Sequence, residues 1–227
     1  MTKRKTRERK QRIFERLVQT SARSNQDPHI AQTIFDLGKK WSRAGTKMKK
    51  FRFQLLHHWL VERFEPCHVA DIGGGKGLLT RLLLDSGWQA AVIDPVSQAL
   101  PGKYKDLSTG KRVRVDDRED VPRIDAYFEP DMAREFDLLI GMHAHGCNAK
   151  IIDAAARFGC GFVLFPCCVI DEPFYPRLGV HWLESLLDYA LDRGHTVYPF
   201  RLKFKGQNIG FCAPGRCAFR QGVAHGG

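Results

Sequence analysis

Val69 to Leu84 reads VADIGGGKGLLTRLLL. A short apolar run carries Asp71 near its end, breaks into Gly73, Gly74, Gly75, Lys76 and Gly77, and resumes as a leucine-rich pattern at Leu78. The first part has the length and character of a buried strand, and the last part the spacing of a helix. Glycines between them let the backbone turn sharply and let a ligand approach closely. Three nucleotide-binding loops compete for this pattern. A dinucleotide fingerprint requires glycine at position 78, which is Leu78, and a P-loop requires Ser or Thr directly after the lysine, where Gly77 stands. The spacing that fits is acidic-x-Gly-x-Gly-x-Gly: Asp71, Gly73, Gly75 and Gly77.

Around this loop the chain alternates between strand and helix patterns. Strands are predicted at His68–Ile72, Ala90–Ile93, Ile124–Phe128, Phe136–Met142, Gly161–Pro166, Thr196–Phe204 and Ile209–Ala213, with helices at Leu78–Asp85, Ala149–Phe158 and His181–Arg193. Such alternation predicts an α/β fold with a mostly parallel, Rossmann-like seven-stranded sheet. The last two strands are joined by a short link and read as an antiparallel C-terminal edge. Upstream, helices are expected at Arg7–Thr20 (Ile13, Phe14, Leu17 and Val18 on one face), from Asp27 through Ile34, Phe35 and Trp41, and, after Gly45, over Lys47–Phe64. The expected organisation is a basic helical extension (1–65), an α/β domain (66–215) and a tail (216–227).

Charge separates the first part from the rest. The 227 residues contain 36 Lys and Arg and 25 Asp and Glu, for a net charge of +11. Residues 1–60 hold 16 of the cations and 4 of the acids, so they carry +12 while the remainder carries −1. A one-sided basic segment fits a polyanionic partner such as RNA. The start of the third helix, KMKKFRF (47–53), mixes cations with aromatics, a surface that can hold phosphates and stack bases. Arg43, Lys47, Lys49, Lys50 and Arg52 are the candidate RNA-binding residues, and residues 1–12 read as a loose, untethered attractor. Hydrophobic content of 43% and charged content of 27% exclude a disordered chain, a collagen-like chain and a small disulfide scaffold. The longest uncharged apolar stretch, Phe158–Ile170, is too short to span a membrane. No apolar signal region follows MTKRKTRERK, so a cytoplasmic location, or a nuclear one in a eukaryote, is expected. Seven cysteines, with Cys167 and Cys168 adjacent, suggest free thiols in a reducing compartment.

The glycine loop resembles the first motif of class I S-adenosylmethionine-dependent methyltransferases, and the resemblance continues in order over residues 66–215. It implies that Asp71, Gly73, Gly74, Gly75 and Gly77 cradle the cofactor. Asp94, at the end of VIDP, would hold the ribose hydroxyls, a diol that a carboxylate accepts well. In FEPDMA, Asp131 and Met132 would flank the adenine, with Asp116 and Asp117 of VRVDD as rivals. The finer match is to a group that includes the tRNA acceptor-stem 2′-O-methyltransferases. That group carries His-x-Cys-Gly near the fourth strand and Cys-Cys after the fifth; here the stretches are His143-Ala144-His145-Gly146 and Pro166-Cys167-Cys168, with His145 a departure. Relatives also carry paired lysines before the first strand, resembling Lys49-Lys50, and Lys50 would reach the cofactor's carboxylate.

The resemblance implies methyl transfer to a structured RNA such as tRNA or rRNA, with a ribose 2′-hydroxyl as acceptor. A hydroxyl must lose its proton, and His143 and His145 are the candidate bases; each also reads as a loop cap, His145 the more so. Cys167 and Cys168 admit a different chemistry, thiolate attack on a cytosine ring. Non-catalytic RNA binding and methylation of a protein or small molecule are the other readings. His143, His145, Cys147, Cys167 and Cys168 are zinc-type residues without a recognised ligand spacing, and Cys212-x4-Cys217 is an isolated pair, so no metal is expected.

Overall fold

In the computed structural model, residues 3–25, 27, 29–30, 32, 46–116 and 120–220 are described. Ile34, Phe35, Trp41, Arg43, Gly45 and Asp117 lie outside the described residues. The chain runs α1 (Lys3–Arg23), α2 (Arg52–Arg63), β1 (His68–Ile72), α3 (Leu78–Asp85), β2 (Gln89–Ile93), β3 (Lys103–Lys105), β4 (Arg112–Arg114) and β5 (Arg123–Ile124). It continues through β6 (Leu138–Met142), α4 (Asn148–Phe158), β7 (Gly161–Phe165), α5 (Trp182–Leu191), β8 (Tyr198–Arg201) and β9 (Ile209–Ala213).

Seven strands form one sheet in the order β5-β2-β1-β6-β7-β9-β8. The first five are parallel, β9 runs antiparallel to β7, and β8 antiparallel to β9. This is the Rossmann-like sheet with an antiparallel edge that the pattern predicts. β6, β7 and β9 are buried at every position, which is why they read as continuous apolar runs. Strand order reverses between β1 and β6. Crossovers between parallel strands are right-handed, so α3, after β1, and α4, after β6, fall on opposite faces. The ends of β1 and β6 then part to leave a crevice, the place where open α/β sheets take ligands.

Two strands are shorter than expected. β5 stops at Ile124 because the Ala126 amide turns back to the Ile124 carbonyl at 2.9 Å. β8 stops at Arg201 because the Phe204 amide bonds the Leu202 carbonyl at 3.0 Å. Between β2 and β5 the chain makes an unanticipated antiparallel hairpin, β3–β4, in which Lys103 faces Arg114 and Lys105 faces Arg112. Its strands are only three residues each, with a single apolar residue apiece (Tyr104 and Val113), too short for their alternation to stand out in the sequence.

The N-terminal segment belongs to the same core as the sheet. Ile13, Phe14, Leu17 and Val18 are buried in one cluster with β8, α5 and the central strands. Trp59 of α2 stacks on Phe200 of β8 at 3.9 Å between centroids. The expectation of an untethered start is corrected from Lys10 onward. Lys10 Nζ donates to the Gly206 carbonyl at 2.8 Å, and the Arg201 guanidinium donates to the Lys10 carbonyl at 2.6 Å and to Gln11 at 2.8 Å. The expectation of free thiols is also corrected. Cys67, just before β1, is disulfide-bonded to Cys217 in the tail, whose Phe219 packs on Phe64. Among the described residues, no helix is long and apolar enough to cross a membrane.

Candidate active site

The glycine loop lies where β1 enters the crevice. Gly73, Gly75 and Gly77 have φ of +64°, +55° and +76°, values that side chains with a Cβ rarely adopt. Gly77 also has no room, since a Cβ there would sit 2.7 Å from Val121. Gly74 is glycine for a different reason: its Cβ would lie 2.6 Å from Asp71 Oδ2. At Gly75 a Cβ would meet only Gln98, at 3.9 Å, so the loop is open there.

Two carboxylates hold this loop. Asp71 is buried beneath it and accepts from Thr80 Oγ1 at 3.0 Å. Burial raises its pKa to about 6, outweighing the Thr80 hydrogen bonds, with the neighbouring Asp94 adding and Arg123 opposing. Asp71 therefore supports the loop from below. Asp94, at the end of β2, accepts from the Gly75 amide at 3.0 Å and the Val96 amide at 2.9 Å. Each of its oxygens keeps acceptor capacity for a ligand. Arg123 completes the frame by donating to the Gly75 carbonyl at 2.9 Å and the Val96 carbonyl at 3.2 Å.

Across the crevice, the segment after β6 carries His143 in a left-handed conformation at φ +63°. Its amide bonds the Phe165 carbonyl of β7, and Ala144 packs so closely on the glycine loop that a Cβ at Gly73 would be 3.1 Å from its own. Both ring nitrogens of His143 are buried without a hydrogen-bond partner. Burial lowers its pKa to about 4, and the charges of Lys49 and Arg52, then His145, push the same way. Arg52 Nε is likewise buried and unpartnered, and its guanidinium lies over Phe53 at 4.1 Å. Burial also lowers the Arg52 pKa. A neutral imidazole and two cations thus share one side of the crevice.

His145 turns away to the surface, where its Nδ1 lies 2.9 Å from Cys168 Sγ and its Nε2 3.8 Å from Cys167 Sγ. Cys167 is pushed up to about 11 by burial and by Cys168, so at neutral pH it is a thiol and a poor nucleophile. Cys147 is a free thiol at the start of α4, and burial raises its pKa too.

Asp131 and Met132 do not reach the crevice. They lie in a 3-10 turn, Pro130–Glu135, that leads into the opposite end of β6, and Asp131 pairs at 3.0 Å with Arg157 in the last turn of α4. The carboxylate that follows β5 directly is Asp125, which contacts Arg123 at 3.4 Å. Asp116 follows the inserted β4. Lys50 also departs from expectation, because it lines a groove of about 390 Å³ with Lys103, Tyr104, Lys105, Gly110 and Arg112. Lys49 is the member of the pair whose charge lowers the His143 pKa. Lys47 is stitched to the chain after β8: its amide donates to the Lys203 carbonyl at 2.7 Å, and its carbonyl accepts from the Lys205 amide at 3.0 Å.

The cations are therefore spread over three places that the sequence separates widely: 47–52, the β3–β4 hairpin, and Lys203 with Lys205. Gln54 of α2 joins the first two, donating to the Lys105 carbonyl at 2.9 Å and accepting from the Leu107 amide at 2.6 Å. Sequence reasoning missed the hairpin because acids elsewhere cancel its charge in any sum over 61–227. A local count of Lys and Arg over 103–114 would have found it.

No protein-family model matches the chain. It is similar to a probable tRNA (uracil-O(2)-)-methyltransferase of Caenorhabditis elegans, at 33% identity over 106 residues, which is 46% of this chain and 18% of that protein. The protein of the same name from Caenorhabditis briggsae is 33% identical over 104 residues, again 46% and 18%. The match thus spans less than a fifth of the length of these curated relatives. Among solved structures, a SAM-dependent methyltransferase from Methanosarcina mazei aligns with a TM-score of 0.41 at 16% identity, over 70% of this chain and 94% of that one. An O-methyltransferase family protein from Burkholderia thailandensis aligns with a TM-score of 0.43 at 13% identity, over 84% and 72%.

Proposed function

We propose that the chain is an S-adenosylmethionine-dependent methyltransferase acting on a ribose hydroxyl of a structured RNA. The observation that carries this reading is the crevice where strand order reverses. One wall is a glycine loop pinned by Asp94, and the other presents an unpartnered imidazole flanked by Lys49 and Arg52. These residues fit the cofactor. The open glycine face admits its backbone, and the remaining acceptor capacity of Asp94 suits a ribose diol. Lys49 and the unpartnered Arg52 suit a carboxylate. When bound, S-adenosylmethionine supplies the methyl group to be transferred. The unprotonated ring nitrogen of neutral His143 accepts a hydrogen bond from the acceptor hydroxyl and then its proton; neither ring nitrogen is committed to another partner.

RNA as the substrate is supported by the cation distribution. Lys47, Lys49 and Lys50, the hairpin cations and Lys203/Lys205 surround one side of the molecule, and Tyr104 in the groove offers a ring for stacking. The names of the two Caenorhabditis relatives, with a tRNA substrate and an oxygen acceptor, point the same way. The high pKa of Cys167 weighs against a cysteine nucleophile acting on cytosine.

The deciding experiment transfers labelled methyl from the cofactor to total RNA and then analyses nucleosides. Label in 2′-O-methylated nucleosides is expected. Label in 5-methylcytidine would replace the ribose reading, and S-adenosylhomocysteine failing to bind in calorimetry would end the enzyme reading. Reversing Lys47, Lys49 and Lys50 to Glu is expected to abolish transfer to RNA. It should also flatten the salt dependence of binding by about 0.7–0.9 for each phosphate no longer neutralised. Cofactor affinity is measured on the same variant because the Lys49 charge acts on His143.

A further inference from the structure

Cys167 and Cys168 have no place in the transfer chemistry above, yet the fold assembles them with His145 at the surface. One nitrogen of His145 and the two sulfurs all lie within 4.8 Å of one another, the one cluster of three such groups among the described residues. The sulfurs are 3.7 Å apart, and the nearest nitrogen-to-sulfur separations are 2.9 Å and 3.8 Å. Two thiolates at tetrahedral positions around zinc, each about 2.3 Å from it, stand about 3.8 Å apart. The sulfur pair already has that spacing, and one ring nitrogen of the exposed His145 lies within 4.8 Å of both sulfurs.

The sheet sets this geometry. Met142 of β6 and Phe165 of β7 are register partners, so the two strands release their chains side by side, and His145 and Cys167 follow within three residues. The released segments are braced on both sides of the cluster. Before it, the His143 amide bonds the Phe165 carbonyl. After it, the buried Glu172 carboxylate accepts from the Asn148 and Ala149 amides, each at 3.0 Å, and closes the start of α4. Gly146, at φ +66°, fits against Asp171 where a Cβ would be 2.8 Å away. Two loops locked together this way hold their side chains near a common point before any ion arrives.

We propose that His145, Cys167 and Cys168 form a three-ligand zinc site whose fourth position is open to solvent. Two sulfurs and one imidazole select a borderline-soft ion such as Zn²⁺ over the oxygen-seeking Mg²⁺ or Ca²⁺. Binding releases one proton from each thiol, and the resulting Zn²⁺–dithiolate unit carries no net charge. Three protein ligands leave the fourth position for water or another oxygen ligand, the arrangement of zinc sites that do chemistry rather than close a fold. The site stands independently of the methyl-transfer reading, because it needs no cofactor and no RNA.

The test uses the full chain, reduced and stripped with a chelator, then titrated with Zn²⁺ against a chromophoric competitor. One ion per chain at better than micromolar affinity is expected, with a thermal melt that rises on addition. Co²⁺ in its place should give thiolate-to-metal charge transfer and the visible bands of a tetrahedral ion. His145→Ala, Cys167→Ser and Cys168→Ser should each weaken affinity by about 100-fold or more while melting like the stripped wild type. Cys167→His, which keeps a ligand, should restore binding. The proposal is overturned by no stoichiometric uptake, by uptake that the three variants leave unchanged, or by a Cys167–Cys168 disulfide that persists under reductant.

Discussion

The buried polar groups around the end of β1 are paired, whereas two side chains across the crevice, His143 and Arg52, bury nitrogens that are not. Asp71 has Thr80, Asp94 has the Gly75 and Val96 amides, and Arg123 has two carbonyls. Opposite them, both nitrogens of His143 and the Nε of Arg52 have no hydrogen-bond partner. Leaving a buried polar atom unsatisfied costs about 1–3 kcal/mol, so a fold keeps such atoms where something else rewards them. The difference separates a wall that is finished in the free protein from one that is completed by what enters the crevice. The first wall should control affinity for the cofactor, and the second should control turnover.

The largest expected effect falls on the unfinished wall. His143→Ala removes the group placed to take the hydroxyl proton and should lower turnover by about 10²–10⁴-fold. Affinity for S-adenosylhomocysteine should stay within a few-fold. Single-turnover transfer and calorimetry on the same preparation check both halves. Equal losses in affinity and turnover would erase the distinction between the walls.

Asp94→Ala tests the finished wall. Two backbone amides lose their acceptor, and the ligand loses a carboxylate. Charge-assisted hydrogen bonds contribute about 1.5–3 kcal/mol, so S-adenosylhomocysteine should bind roughly 10–100-fold more weakly. At saturating cofactor, turnover should recover most of its wild-type value. A variant that binds normally but turns over slowly would place Asp94 in the chemistry instead.

How much of this the sequence discloses follows from the same contrast. The glycine loop is contiguous, and its shape demands particular residues at particular positions, so Gly73, Gly75, Gly77 and Asp71 are legible without a structure. Asp94 is legible because it ends a strong apolar strand. The second wall is made by register between β6 and β7, which no linear spacing reveals, so His145 and the two cysteines look unrelated until Met142 and Phe165 are seen as partners. Asp131 misleads for a local reason: β5 is two residues long, and FEPDMA looks like the sequel to a longer strand. The basic hairpin stays hidden because its strands are three residues long, each with one apolar residue, and its charge is cancelled by acids elsewhere.

Asp71 offers a pH-dependent test of the finished wall. Its folded pKa is raised from 3.8 to about 6, mainly by burial. The folded state therefore prefers the protonated acid. That preference adds stability fully present below pH 4, and it is lost as pH rises through about 6. Above that, the ionised, buried carboxylate is a burden of about 3 kcal/mol at most. Asp71→Asn cannot ionise and still accepts from Thr80. The variant should match wild type near pH 4 and exceed it by about 1–3 kcal/mol at pH 8, as read by denaturant unfolding at both values. A constant difference at all pH values would mean that Asp71 is not the titrating group.

The smallest effect belongs to the link between α2 and the β3–β4 hairpin. Gln54 is buried, and its amide bridges the Lys105 carbonyl and the Leu107 amide. Gln54→Ala deletes both bonds and should loosen the hairpin by about 1–2 kcal/mol without disturbing the sheet. The readout is local. Exchange of the Leu107 amide should accelerate about 10-fold, while S-adenosylhomocysteine affinity stays at the wild-type value. If the hairpin holds RNA phosphates together with Lys50, RNA affinity should fall by a few-fold and the salt slope should shrink, because a mobile hairpin keeps its charge but loses its register with the groove. Unchanged RNA binding with accelerated exchange would remove the hairpin from the interface and leave Lys47, Lys49 and Lys50 as its basis. Unchanged exchange would show that the hairpin is held by its own strand pairing, and that the two cationic regions meet without depending on each other.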